Sequence, residues 1–249
     1  MQDTVGQFDS LVGQSRLVEP LKRGLATGRF AHAQLLVGPE GSGKRTLARM
    51  IARALLCTGA PGVGCGQCPA CRQVATDNHP DLLFVKPTGR KSLRVEEIEG
   101  LQHALSLKAY EGGKRVAILE DAHMMTPQAQ NKLLKTLEEP PQGVTLLLIA
   151  TQTEPLLPTI LSRCQTLRLQ RVPEEELAAL LQTRLALPPE RAAHVAAMAD
   201  GRVGQALQLA QNPEYWAFRE QALSWLWDLP RPGGSLRVWS ALQDHKAQS

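Results

Sequence analysis

The chain has 249 residues, 43% of them hydrophobic, which is enough apolar material for one large core and a smaller one. Its formal net charge of +4 permits contact with nucleic acid without demanding it, and aromatics at 4% with no interleaved basic run argue against a stacking surface for single strands. No apolar run approaches the roughly 20 residues that cross a bilayer, and the opening MQDTVGQFDSLVGQ lacks a signal-peptide pattern, so a cytoplasmic protein with no membrane partner is expected.

Residues 35–37 are a short apolar run that leads into GPEGSGKRT and then LARMIARALL. This is strand, glycine-rich turn, helix, with Leu47, Ile51, Ala54 and Leu55 at helical spacing. The stretch CTGAPGVGCGQCPAC that follows is too rich in Gly and Pro for regular structure to be expected. Residues 81–85 (DLLFV) read as a strand, and Val95, Ile98, Leu101 and Leu105 mark one face of a helix. Residues 116–119 read as a buried strand. Thr126 and Pro127 are the N-cap and first-turn proline of a helix with the apolar face Ala129, Leu133, Leu134 and Leu137, ended by Pro140 and Pro141. Residues 145–150 (TLLLIA) are a further buried strand. Strands alternating with helices predict an α/β fold, a mainly parallel sheet covered on both faces. After about residue 171 come three short helical segments and then the aromatic-rich helix YWAFREQALSWLWDL.

Gly38, Gly41, Gly43 and Lys44 fit G-x-x-x-x-G-K, in which turning glycines aim backbone N–H groups at phosphate oxygens and the lysine meets the outer phosphates. The next residue is ordinarily Ser or Thr, whose hydroxyl holds magnesium; here it is Arg45, and Thr46 comes one place, or about 100° of helix, later. ATP with Mg²⁺ is therefore an open expectation, and hydrolysis a weak one. Glu120 and Asp121 end an apolar strand, where acids orient magnesium and polarise water, although an acid pair can also simply solvate a strand end. Cys57, Cys65, Cys68 and Cys71 supply four thiolates in one loop, the donor set of a closed structural zinc site. His79 lies nearby but is read as part of a turn into the next strand, and Cys164 as a small buried residue.

FDSLVGQ, HAQLLVGPEGSGKRTLA, the cysteine module, NKLLKTLEEPP and TILSRCQ together resemble the bacterial clamp-loader subunits of the AAA+ family, over roughly residues 8 to 210. The resemblance implies an AAA+ phosphate-loop domain over residues 1–170 with a zinc module at about 57–79. A helical lid over 171–212 and the start of an incomplete helical collar over 213–249 would follow. It also implies work in DNA replication with gamma/tau and delta subunits, a sliding clamp and primer–template DNA. Two branches share the motifs, the gamma/tau motor and the delta-prime stator of DNA polymerase III. NHPDLLFVKP, LEDAHMMTPQAQN and GRVGQALQL, with Gly204 where the motor carries an arginine, resemble the stator. By the same resemblance Arg163 of the Ser162–Arg163–Cys164 motif is an arginine finger that reaches a neighbour's ATP, Thr151 is the polar sensor, and Val12, Gly13 and Gln14 lie beside adenine. A gamma/tau-type motor ATPase and a stand-alone zinc-bearing ATPase that binds DNA are the alternatives.

Overall fold

The architecture comes from a computed structural model, which describes residues 8, 11–87, 92–110, 113–230 and 239. Five strands form one sheet in the order β2-β3-β4-β1-β5, with every pairing parallel. They are β1 (Ala33–Val37), β2 (Leu82–Val85), β3 (Arg115–Leu119), β4 (Val144–Ala150) and β5 (Gln165–Arg168). In β1 all five residues are buried; four are apolar, as a doubly covered parallel sheet favours, and the Gln34 amide donates to Gln165 Oε1 at 3.0 Å. Successive residues feed opposite faces. Leu35, Val37, Ala117, Leu146 and Leu148 join one core with helices α4 (Val95–Ser106) and α5 (Pro127–Glu138). Leu36, Val116, Ile118, Leu147 and Ile149 join the other with α1 (Ser15–Ala26) and α2 (Lys44–Leu56).

The expected strands and helices are present, with two additions and one correction. Nothing in the sequence reading anticipated α1 or β5. The correction concerns the cysteine stretch, which holds a helix, α3 (Pro69–Ala75). Pro69 takes the first helical turn, where its missing N–H costs nothing, and the Cys68 sulfur caps the helix by accepting from Cys71 N. The predicted face of α5 packs as expected, with the Thr126 side chain accepting from Ala129 N at 3.2 Å.

The short helix α6 (Pro158–Leu161) precedes β5, and beyond β5 the helices α7 (Glu174–Leu185), α8 (Pro189–Ala199) and α9 (Val203–Gln211) gather around Leu177, Leu181, Val195, Ala196 and Ala206. Trp216 of α10 (Pro213–Asp228) closes that cluster, with the Arg191 guanidinium stacked 3.8 Å from its ring centre. Of the residues expected to begin a collar, 231–238 and 240–249 lie outside the described ones, as do residues 9 and 10 of the FDSLVGQ motif. Among the described residues no helix is long and apolar enough to cross a membrane.

Candidate functional site

The turn between β1 and α2 shapes a pocket of about 360 Å³ at the carboxyl end of the sheet, where open α/β folds bind ligands. Gly38 follows β1 directly, and a side chain there would collide with the Leu169 carbonyl, so the loop can turn only with glycine. Gly43 is the left-handed N-cap of α2, and the helix opens at Lys44. Lys44 is buried and its ammonium donates to the carbonyls of Gly38 and Pro39, both at 2.7 Å. Burial lowers its pKa below the ordinary value, against the opposing pull of the Glu40 and Asp121 carboxylates.

Gly41, Gly43, Lys44, Arg45 and Thr46 all line this pocket, and so do Val12, Glu120, Asp121 and Thr151. Gly13 does not; it packs on Val172. Gln14 is tied instead to the backbone of Gln170, donating at 2.7 Å and accepting at 3.2 Å. The VGQ segment thus contributes one wall residue and one fastening. Asp121 holds left-handed backbone at φ 51°, a conformation Asp tolerates better than most residues, and it turns the chain at the end of β3. Thr151 Oγ1 lies 3.1 Å from His123 Nε2, a partner that the sequence reading did not single out.

Of the far wall, the sequence reading singled out Gly204 alone. Arg184 of α7 and Val203, Gly204 and Leu207 of α9 face the loop. Gly204 N donates to Gly41 O at 3.1 Å, so the helical bundle rests directly on the phosphate loop. No local pattern separates Arg184 from a solvated helix arginine.

Magnesium requires near-octahedral oxygen ligands at about 2.0–2.1 Å. The residues here do not fit that ion. Arg45 Nη2 stands 2.8 Å from Glu120 Oε1, so a guanidinium occupies the place of the usual hydroxyl and engages the carboxylate that would face the metal. The contact falls outside hydrogen-bond angles and acts as a charge pair.

Arg163 lies away from this pocket, in the turn after α6. Its guanidinium donates to Thr159 O at 3.1 Å and pairs with Glu138 at 2.7 Å, at the end of α5. Cys164 beside it is buried, which pushes its thiol up to about 12 and keeps it neutral.

The four loop cysteines converge. Their sulfurs all lie within 4.8 Å of one another, with Cys57–Cys65 at 3.5 Å, Cys57–Cys68 at 3.8 Å and Cys65–Cys71 at 4.0 Å. Four thiolates around zinc at about 2.3 Å place the sulfurs about 3.8 Å apart, so the cluster could hold such an ion. Burial opposes ionisation at Cys68, yet donors from Cys71 N, Thr58 and Gly59 outweigh it and bring the thiol down to about 5. Burial dominates at Cys71 and pushes it up to about 12. Gly66 beside them holds left-handed backbone at φ 77°, a conformation that glycine adopts without the strain a side chain would bring. His79 stands outside the cluster: its Nδ1 accepts from Asp81 N at 3.0 Å, in the turn that starts β2.

A family model described as DNA polymerase III, delta subunit, matches residues 13–173, more than half of the chain. The delta' subunit of DNA polymerase III from Bacillus subtilis is 33% identical over 210 residues, covering 84% of this chain and 63% of that protein. The delta' subunit from Pseudomonas aeruginosa is 45% identical over 138 residues, 55% of this chain and 42% of that protein. The tau subunit from Escherichia coli is 34% identical over 211 residues, covering 82% of this chain and 32% of that protein. The chain thus spans less than two thirds of each of these relatives. Among solved structures, the RuvB Holliday junction branch migration motor of Thermotoga maritima superposes with a TM-score of 0.59 at 19% identity. The match covers 83% of this chain and 63% of RuvB, and establishes the shared AAA+ fold.

Proposed function

The chain belongs to the family described as DNA polymerase III, delta subunit, and from that premise we propose that it is a delta-prime-type stator of a clamp loader. In this reading it works in cytoplasmic DNA replication beside gamma/tau and delta subunits, which together place a sliding clamp on primer–template DNA. Its own contribution to chemistry is Arg163, offered as a finger to the ATP of a neighbouring motor. The observation that carries the reading is a division of labour. Arg163 stands outside its own pocket, held at the surface by Glu138 and Thr159, while that pocket carries the Arg45–Glu120 pair where a motor would hold magnesium. The pocket is of nucleotide size and its apolar wall of Leu11, Val12 and Ile149 suits a base, so we take it as a nucleotide site with little or no hydrolysis. The four-cysteine cluster is taken as a structural zinc site, closed to chemistry because no coordination position stays open. The apolar side chains that α10 leaves exposed, Leu226 and Trp227 among them, suit the contacts of a collar.

The test is a reconstituted ring of this chain with its gamma/tau and delta partners. A guanidinium at a γ-phosphate is worth about 10³–10⁵ in rate at the site it serves. Arg163→Ala is therefore expected to lower clamp- and DNA-stimulated ATP turnover severalfold while the ring still assembles. Unchanged turnover would sink the finger role. A gamma/tau-type motor is the second reading, favoured by an identity to tau that equals the identity to the Bacillus delta' subunit within a percentage point. ATP turnover by the isolated chain, lost in Lys44→Ala, would favour it.

A further inference from the structure

We infer that the Arg45–Glu120 ion pair takes the place of the divalent cation, so that nucleotide enters this pocket as the metal-free anion. The inference rests on reading the pocket as a nucleotide site and says which chemical form the site accepts.

The argument begins with position 45. It is the second residue of α2, directly after the phosphate-loop lysine, where a hydroxyl ordinarily completes a magnesium shell. A guanidinium has five N–H donors and no lone pair, so it cannot be a ligand; it can only replace the ion's charge. Its carboxylate partner is Glu120, the first acid after β3, whose side chain is only 12% exposed while that of Arg45 is 44% exposed. The acid is therefore enclosed and already compensated, and the arginine keeps donors free to face the cavity. A divalent ion brought in on a phosphate would meet a fixed positive charge at the place of its protein ligand. It would also have to displace a charge pair at 2.8 Å to reach the carboxylate. A bare phosphate meets the opposite situation. Lys44, Arg45 and Arg184 all line the cavity, and the N–H groups that open α2 point the same way. The second acid, Asp121, lines the same cavity, and its charge is attracted to the Lys44 ammonium. The ligand class is a nucleoside di- or triphosphate without magnesium, and the guanidinium bridges its outer phosphate to Glu120.

The test is equilibrium titration of the whole chain with N-methylanthraniloyl-labelled ADP and ATP, once with excess Mg²⁺ and once with EDTA. Excess Mg²⁺ converts most of the nucleotide to its metal complex, so binding is expected to be about tenfold or more weaker with Mg²⁺ than with EDTA, and Arg45→Thr, an exposed change that leaves a hydroxyl, to make binding about tenfold tighter with Mg²⁺ than with EDTA. Affinity in the unaltered chain that is equal in the two conditions, or tighter with Mg²⁺, would overturn the inference and leave the nucleotide site standing. An Arg45→Thr chain that Mg²⁺ weakens as much as the unaltered one would overturn the role given to Arg45. Absence of binding in both conditions would overturn the nucleotide reading itself, and the inference with it.

Discussion

Asp81 has no exposed surface, and its carboxylate accepts from Tyr110 N at 2.8 Å and from Arg115 Nε at 3.3 Å. Arg115 in turn donates to the carbonyls of Ala104 and Lys108, so one charge pair fastens the start of β2 and β3 to the end of α4. Breaking a buried pair from one side strands the other charge, at a cost of about 3–5 kcal/mol. Asp81→Ala is therefore expected to lower the unfolding free energy in a urea titration by that amount, through a lower midpoint at unchanged slope; a loss below about 1 kcal/mol would place the pair among ordinary surface contacts. The sequence presents Asp81 only as the first letter of a strand, because nothing local separates a buried acid from a solvated one. Arg45 was legible in part. Its identity reveals a missing hydroxyl, but its partner Glu120 lies on another strand and only the fold brings them together. Arg184 and His123 were not legible for the same reason, since neither breaks a local rule.

At the scale of elements, legibility followed burial. β1, β3 and β4 are interior strands, both faces must be apolar, and such runs stand out in the sequence. β5 is an edge strand with the sequence Gln-Thr-Leu-Arg, largely exposed, and it is held by its backbone pairing to β1 and by the Gln34–Gln165 side-chain bond. No hydrophobic pattern can reveal it. α3 hid behind the glycines before it, although Cys68 followed by Pro69 is a cap and first turn when read as such. α5 was the most legible helix, since Thr126, Pro127 and the paired prolines mark both ends. Its cap should be worth about 1 kcal/mol. Thr126→Ala is expected to cost that much in chemical denaturation, and Thr126→Ser to recover most of it. Equal loss in both variants would assign the effect to packing of the methyl group rather than to the bond to Ala129 N.

At the scale of the whole molecule, distant parts meet at the phosphate pocket and at the cysteine module. The pocket is closed by α7 and α9 on one side and by the loop on the other, with Gln14–Gln170 and Gly204–Gly41 as fastenings. The module joins α2 to β2: Cys57 follows α2, Cys71 and Val74 lie buried on α3, and Arg49 pairs with Asp77 across the gap. The sheet's two apolar cores are built mainly from residues outside the loop. If the four cysteines hold a metal, its removal should therefore unfasten the module without dissolving the sheet. An ion bound at about 1,000 times its dissociation constant contributes about 4 kcal/mol. A domain of this size loses about 2–4 °C per kcal/mol, which predicts a fall in Tm of about 10 °C after exhaustive dialysis against a chelator. The thiol count should change in step. Cys57, Cys65, Cys68 and Cys71 would be slow towards a thiol reagent when metal-bound and fast afterwards, whereas buried Cys164 would stay slow in both. Far-UV dichroism should keep most of its intensity, because the helices on the sheet do not depend on the loop. If chelation alters neither the thiol reactivity nor Tm, the four sulfurs hold no ion, and their convergence reflects the capping of α3 by Cys68 alone.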